Sequence, residues 1–326
     1  MKIFYAVQAT GNGHISRAHQ LLPYLREMGE VDIFLSGSNA SLPYELPVKY
    51  RSEGLSLFYS ECGDLDYWKT AKAVRYGRII KESKDLPVEK YDVIINDFEH
   101  ITARACRIKK VPSVQFGHQA SFISKNTPRP DKKSFIGEFL LKHYAPASKY
   151  VGLHFESYDS FVFPPIIKQE FLSVTPKDQG HITVYLPAYD YGCVKKIFNE
   201  ISPVKIHWFL PTILQPYEED NITFFPVSQQ YFNESLIHCQ ALLAGGGFET
   251  PAEALYLRKK IMVIPINGQY EQQCNAAALE KKGVTRLSVL NEKTKQVFFD
   301  WLRAPQQTGT VDANDIKKTL EYLMLG

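Results

Sequence analysis

A charge excess of either sign is missing from this chain. Thirty-eight Lys+Arg stand against 35 Asp+Glu, a formal charge of +3, without the strongly basic face or tail of a dedicated nucleic-acid binder. Cysteine is sparse and scattered. Cys62, Cys106, Cys193, Cys239 and Cys274 form no Cys-x-x-Cys pair and no zinc spacing, which points to reduced thiols in a cytosolic protein. No stretch approaches the roughly 18–20 uninterrupted apolar residues of a membrane span. The opening Met-Lys-Ile-Phe-Tyr-Ala-Val runs into a glycine loop, so it reads as a first strand rather than a signal peptide. Low-complexity tracts and short-period repeats are absent as well. What is present is 44% hydrophobic residues over 326 positions, enough for two cores of ordinary size.

Short apolar runs alternate with helix-length amphipathic segments, the pattern of parallel βαβ units. Strands are expected at Ile3–Gln8, Val31–Ser36, Val93–Asn96 and Val111–Phe116, with helices at His14–Glu27 and Thr102–Ile108 and a mostly helical, charged and aromatic segment at 62–84. The second half repeats the theme. Strands fit Ile182–Leu186, Ile206–Leu210, Ile222–Phe225, Ala241–Ala244 and Ile261–Ile264. Helices fit Val194–Glu200, Tyr231–His238, Thr250–Leu257 and Glu271–Lys281. Phe163-Pro164-Pro165 interrupts the pattern, dividing the chain into Rossmann-like domains at 1–164 and 165–326, with a capped helix at Asp312–Met324 that could pack back on the first domain. The expected class is α/β: two doubly wound domains facing a central cleft, where the carboxyl ends of open parallel sheets bind ligands.

Gly11-Asn12-Gly13-His14 follows the first strand. Glycines there allow a tight turn and close backbone approach, and a helix N-terminus favours negative charge. A dinucleotide fingerprint would need a third glycine where Ser16 stands and an acidic residue closing the second strand, and neither is present. What remains is a histidine presented at a cleft. It reads either as a proton acceptor near neutral pH or as an ordinary hydrogen-bonding residue.

The most informative stretch is Leu242-Leu243-Ala244-Gly245-Gly246-Gly247-Phe248-Glu249-Thr250-Pro251-Ala252-Glu253. An apolar strand ends in three glycines and a helix follows, with Thr250 expected as N-cap and Pro251 at its first position. Bare backbone N–H groups and a helix dipole there could cradle a pyrophosphate, and Glu253 could accept from ribose hydroxyls or close a capping box. Downstream, Glu271 and Gln272 open another helix in Glu-Gln-Gln-Cys-Asn-Ala. An acid and an amide at that position can hold sugar hydroxyls, or simply cap the helix.

Taken in order, Gly-x-Gly-His-x-x-Arg-Ala (Gly11 to Ala18), Gly-Gly-x-x-Thr-x-x-Glu-Ala-Leu and Glu-Gln-x-x-Asn-Ala resemble the GT-B glycosyltransferases of the UDP-glycosyltransferase and MurG-like superfamily, in its small prokaryotic branch. The resemblance implies an inverting, metal-independent hexosyl- or N-acetylhexosaminyl-transferase, with no cofactor beyond its nucleotide-sugar substrate. The donor, usually a UDP-sugar, would sit on the C-terminal domain and a glycan or lipid-linked acceptor on the N-terminal one, in cell-envelope glycan or glycolipid synthesis. By the same likeness Gly246, Gly247, Phe248 and Thr250 would line the diphosphate, Glu253 would hold the ribose, Glu271 and Gln272 would contact the donor sugar, and Val227 would lie beside the base. His14 would be the general base. Two departures stand out. Gly245 and Ala244 occupy positions where many relatives carry a histidine, and Leu186-Pro187-Ala188-Tyr189 replaces a Gly-Ser phosphate contact.

Asp97, after the strand Val93–Asn96, could orient His14 or cap the next helix, with Glu99 and His100 as neighbouring alternatives. His118 follows another strand and could touch the acceptor or be satisfied by backbone. The basic stretch Lys125, Arg129, Lys132, Lys133, Lys142, His143 and Lys149, interleaved with Phe135, Phe139, Leu140 and Leu141, reads as a solvated helix face or as a peripheral contact with the inner face of an anionic membrane. The same architecture could also serve a nucleotide-sugar epimerase or hydrolase, or a non-catalytic nucleotide-sugar sensor.

Overall fold

The computed structural model describes residues 1–9, 11–37, 46–54, 76–187, 189, 191–305 and 309–325. The segment 62–75 and Ala188 lie outside them. Two seven-stranded sheets carry the architecture. The first is ordered β3-β2-β1-β4-β5-β6-β7, with β1 Lys2–Gln8, β2 Glu30–Ser36, β3 Val48–Ser52, β4 Val93–Asp97, β5 Val114–Gly117, β6 Lys149–Leu153 and β7 Val162–Phe163. All of its pairings are parallel. The second is ordered β10-β11-β9-β8-β12-β13-β14, with β8 His181–Tyr185, β9 Lys205–Leu210, β10 Tyr217–Glu219, β11 Ile222–Pro226, β12 Ala241–Ala244, β13 Lys260–Val263 and β14 Thr285–Arg286. Only its edge pair β10·β11 is antiparallel.

Central strands sandwiched between helices must be apolar on both faces. Ile3 to Val7 of β1 and all of β12 are buried accordingly. Tyr5, Val7, Ile33 and Val151 pack on one face of the first sheet, and Phe4, Ala6, Phe34 and Ile94 on the other. In both sheets the strand order reverses at the middle, between β1 and β4 and between β8 and β12. The loops leaving those strands therefore diverge and open a crevice. Four segments reach the crevice: Gly11-Asn12-Gly13 after β1, Asp97 closing β4, Leu186-Pro187 after β8, and Gly245-Gly246-Gly247 after β12.

The helices that matter here are α1 Asn12–Met28, α2 Tyr76–Asp85, α3 His100–Lys109, α4 Phe135–His143, α5 Tyr191–Asn199, α6 Gln229–His238, α7 Glu249–Tyr256, α8 Tyr270–Glu280, α9 Lys295–Arg303 and α10 Ile316–Met324. The strand expected from Val111 starts at Val114. Lys110 caps α3 in the left-handed region (φ 56) and Pro112 has no N–H to offer a ladder. The C-terminal helix begins at Ile316, capped by Asp315 rather than Asp312. It lies against the first lobe: the Tyr322 ring packs tilted at 59° with its centroid 5.2 Å from that of Phe163, and Lys149 Nζ sits 4.7 Å over the Tyr322 ring. Asn314 donates from its backbone N–H to Pro165 O (2.9 Å) and from its side chain to Pro164 O (2.8 Å), tying the tail to the diproline.

Candidate active site between the two lobes

The glycine loop after β1 hands the chain directly to α1, so His14 and Arg17, three residues apart, share one face of its first turns. That face meets Asp97. His14 Nδ1 donates to Asp97 Oδ1 at 2.9 Å, and Arg17 forks onto both carboxylate oxygens, Nε to Oδ2 at 3.0 Å and Nη2 to Oδ1 at 2.8 Å. Asp97 is fully buried. Burial alone would raise its carboxyl, but Arg17 and His14 together hold it below the usual carboxylate range. It is therefore an anion at neutral pH. Arg17 Nη2, a donor, also lies 3.0 Å from His14 Nδ1; since an ionised carboxylate only accepts, the Asp97 bond is made in the tautomer with the proton on Nδ1, which leaves the lone pair of the neutral ring on Nε2. Among the described residues Nε2 has no hydrogen-bond partner, and the side chain is 13% exposed.

Gly117 makes room for this arrangement. Its φ is +138°, and a Cβ there would lie 2.7 Å from Asp97 Oδ1. The capping alternative for Asp97 is excluded by Glu99, which caps α3 itself by accepting from Ile101 N (2.8 Å) and Thr102 N (2.6 Å). His100 is turned away, its Nδ1 2.6 Å from Tyr144 O.

Across the crevice the second lobe presents the triple-glycine bend. Two cavities meet there. One, of about 500 Å³, is lined by Gly13, Lys168, Val227, Glu249, Thr250 and Glu253 among others, and the second, of about 450 Å³, by Pro187, Gly245, Gly247, Thr250 and Gln272. Tyr185 and Thr250 border both. Gly247 is exposed at the bend, with nothing within 4 Å of a hypothetical Cβ. Glu253 is buried and 3.0 Å from Lys168 Nζ, while its Oε2 has no partner. Burial raises its carboxyl, and Lys168 only partly offsets this. Val227 lines the first cavity as the loop after β11, and Gly13 lines it from the opposite lobe; Gly11 caps α1 without a side chain.

Several sequence expectations need correction. Thr250 is not the N-cap of α7. The helix starts at Glu249 after Phe248, which makes no side-chain cap, so Thr250 is a helical residue facing both cavities. Glu253 turns to Lys168, not back to a cap. Gly246 is buried and its N–H is taken by Gln272 Oε1 (3.1 Å), which also accepts from Ile266 N (2.9 Å). Gln272 is thus a brace for the bend as well as a lining residue. Phe248 is 6% exposed and stacks on His118 at 4.0 Å and 7°, so its ring seals the lobe interface. His118 is as buried as its partner. Its Nδ1 meets Leu153 O at 3.0 Å and its Nε2 meets Asn275 Oδ1 at 2.7 Å. Burial lowers its imidazole below the ordinary value, and both ring nitrogens are turned to oxygens of the interface rather than to the cavities, of which a neutral ring can donate to one. Glu271 likewise accepts from Gln119 Nε2 (3.1 Å) across the interface.

Arg17, Glu249, Lys168 and Asn275 were not singled out from sequence. Arg17 lies within Gly-x-Gly-His-x-x-Arg, one turn past His14, which is the signal that could have found it. Lys168 carries no signal, because it reaches Glu253 from beyond the diproline only after folding. Among the described residues no three His, Cys, Asp or Glu side chains gather as metal ligands, and no helix is long and apolar enough to cross a membrane.

Comparison with known proteins agrees with this fold. An uncharacterized glycosyltransferase of Methanosarcina mazei is 21% identical over 88% of this chain and 85% of its own. The glycosyltransferase SnogD from Streptomyces nogalater superposes with a TM-score of 0.53 at 14% identity, covering 100% of this chain and 99% of that one. Arabidopsis thaliana UGT89C1, solved complexed with UDP-L-rhamnose, gives a TM-score of 0.58 at 12% identity over 99% and 92%. The family model described as glycosyl transferase family 1 matches residues 1–304. With both sheets, their switch-point loops and a family match over nearly its whole length, the chain belongs to glycosyl transferase family 1 and has the GT-B fold.

Proposed function

We propose that the protein transfers a hexosyl or N-acetylhexosaminyl group from a UDP-sugar to an acceptor hydroxyl, with inversion and without a metal. One observation carries the reading: the His14–Asp97 pair, closed at 2.9 Å, stands on the loop whose Gly13 lines the same cavity as Glu249 and Thr250, just past the triple-glycine bend. UGT89C1 has been solved with UDP-L-rhamnose and with quercetin, which supports a donor and an acceptor meeting in the same cleft here. The diphosphate rests against the exposed Gly247 backbone and the amino end of α7, whose dipole offsets its charge. Glu253 and Lys168 face the ribose, and Val227 the base. His14 Nε2 takes the acceptor proton, the acceptor oxygen bonds to the anomeric carbon, and the bond to the diphosphate oxygen breaks with its electron pair leaving on UDP. Product analysis tests this. Incubation with UDP-sugar and acceptor is expected to give the inverted anomer at a rate unchanged by EDTA. A retained anomer, or consumption of UDP-sugar with no acceptor needed, would refute it.

The acceptor side has its own feature. On α4, Gly137 and Leu141 pack inward, while Phe135, Ile136, Phe139 and Leu140 stand 86, 60, 56 and 41% exposed on the opposite face. Lys132 and Lys133 precede the helix and Lys142 closes it, all exposed, with Lys142 paired to Glu138 at 3.2 Å. An apolar face flanked by lysines favours the surface of an anionic bilayer. This supports peripheral docking at the cytoplasmic membrane face and a lipid-linked acceptor of envelope synthesis. Phosphatidylglycerol vesicles are expected to pellet the wild type, and a Phe135→Asp/Phe139→Asp variant is expected to stay in the supernatant with its turnover on soluble acceptor intact. Equal pelleting of both would rule the docking face out.

A further inference from the structure

Arg17 does more than hold Asp97. Its third nitrogen, Nη1, crosses the interlobe gap to Glu249 Oε1, the first residue of α7 and the residue directly after the glycine bend and Phe248. The whole guanidinium fork is therefore used: two arms on the first-lobe carboxylate, one on the second-lobe carboxylate, in a side chain only 2% exposed. An independent observation points to the same contact. Gly13 has no side chain where the chain passes Glu249, and a Cβ there would lie 3.1 Å from Glu249 Cγ. The second glycine of the first loop is thus the seat for a carboxylate from the other lobe.

Charge arithmetic gives this contact a consequence. Arg17 and Asp97 alone sum to zero, so the pair offers little to an imidazolium forming on His14. Adding the Glu249 carboxylate makes the cluster net negative beside the base. Buried charges at such separations are weakly screened. We infer that Glu249 acts through Arg17 as a positioning residue for the His14 base, so that the base is fully competent only when the donor-binding lobe is closed against the first glycine loop. This rests on the base assignment proposed above. The groups facing Glu249 are His14 and Arg17 on α1, Asp97 on β4, Tyr5 on β1 and Glu253 on α7. Burial, with Glu253 and Asp97 adding to it and Arg17 and His14 opposing, pushes the Glu249 carboxyl up to about 7. Its charge therefore forms in the same range in which an imidazole becomes a base.

The test is the pH profile of transfer for wild type, Glu249→Gln, Glu249→Asp and His14→Ala, with UDP affinity measured alongside. Glu249→Gln removes the charge and keeps the shape. It is expected to lose about tenfold in kcat and to move the acid limb of the profile about one pH unit lower, whatever its effect on UDP affinity. Glu249→Asp keeps the charge and is expected to keep the limb near the wild-type position. A purely structural contact would change stability or KM and leave the limb in place. If His14→Ala is inactive but the Glu249→Gln limb coincides with wild type, or the Asp variant shifts it equally, the coupling is overturned and the base assignment survives. If His14→Ala turns over normally, the base assignment falls and this inference falls with it.

Discussion

A His14→Ala variant is expected to bind UDP as the wild type does and to transfer sugar about 10²–10⁴ times more slowly, the span of general-base catalysis. The separation of binding from turnover follows from the geometry. His14 makes its hydrogen bond inside the first lobe, to Asp97, and does not line either cavity at the glycine bend. Removing the imidazole leaves Asp97 with both Arg17 bonds, at 2.8 and 3.0 Å, so the buried carboxylate keeps a partner and the lobe should keep its fold. Initial rates at saturating donor, with UDP binding measured separately, check this. A variant that turns over at the wild-type rate would remove His14 from the mechanism. A variant that loses UDP binding in equal measure would move it from the chemistry to donor binding.

Gly246→Ala is expected to damage the donor side as selectively. Its backbone is not in the left-handed region, so alanine meets no torsional objection, only a lack of space. The added Cβ would come within 2.8 Å of the Gln272 carbonyl oxygen, 2.9 Å of Gln272 Cβ and 3.0 Å of Pro265 Cβ. A backbone carbonyl and a proline ring cannot rotate away, so the bend must separate from α8 and strain the Gly246–Gln272 bond. Overpacking of this kind costs about 1–3 kcal/mol. Donor affinity is expected to fall by roughly the same free energy, about 5- to 150-fold, because the bend that moves is the one presenting Gly247 and the start of α7. The His14–Asp97 pair is untouched, so single-turnover chemistry on the bound fraction should survive. Denaturant midpoints and UDP titration measure the two effects. Lowered stability with wild-type affinity would take the donor away from the bend.

The fold was legible because parallel strands buried on both faces announce themselves as apolar runs. β1, β4, β8, β9, β11, β12 and β13 all lie within about two residues of their expected positions. The strands that escaped are short or at edges, apart from the interior β6 at Lys149–Leu153. β3, Val-Lys-Tyr-Arg-Ser, is nowhere fully buried, β10 is exposed throughout, and β7 and β14 are two residues each. Nothing in such segments separates a strand from a loop until a neighbour supplies the ladder. In the site, the glycine loops and the His14–Asp97 pairing followed from strand-end positions. The long-range partners did not. Gln272 bracing Gly246, Asn275 meeting His118, Phe248 stacking on His118, and Arg17 reaching Glu249 each join residues 26 to 232 positions apart. No local periodicity encodes which loops two sheets will bring face to face.

Calorimetric titration of UDP into the wild-type protein and Gly246→Ala, side by side, bears most directly on the donor site. One-to-one binding by the wild type, weakened at least fivefold in the variant, is the expected result. Absence of binding by the wild type at millimolar UDP, or indistinguishable affinities for the two proteins, would contradict a nucleotide-sugar site at the glycine bend.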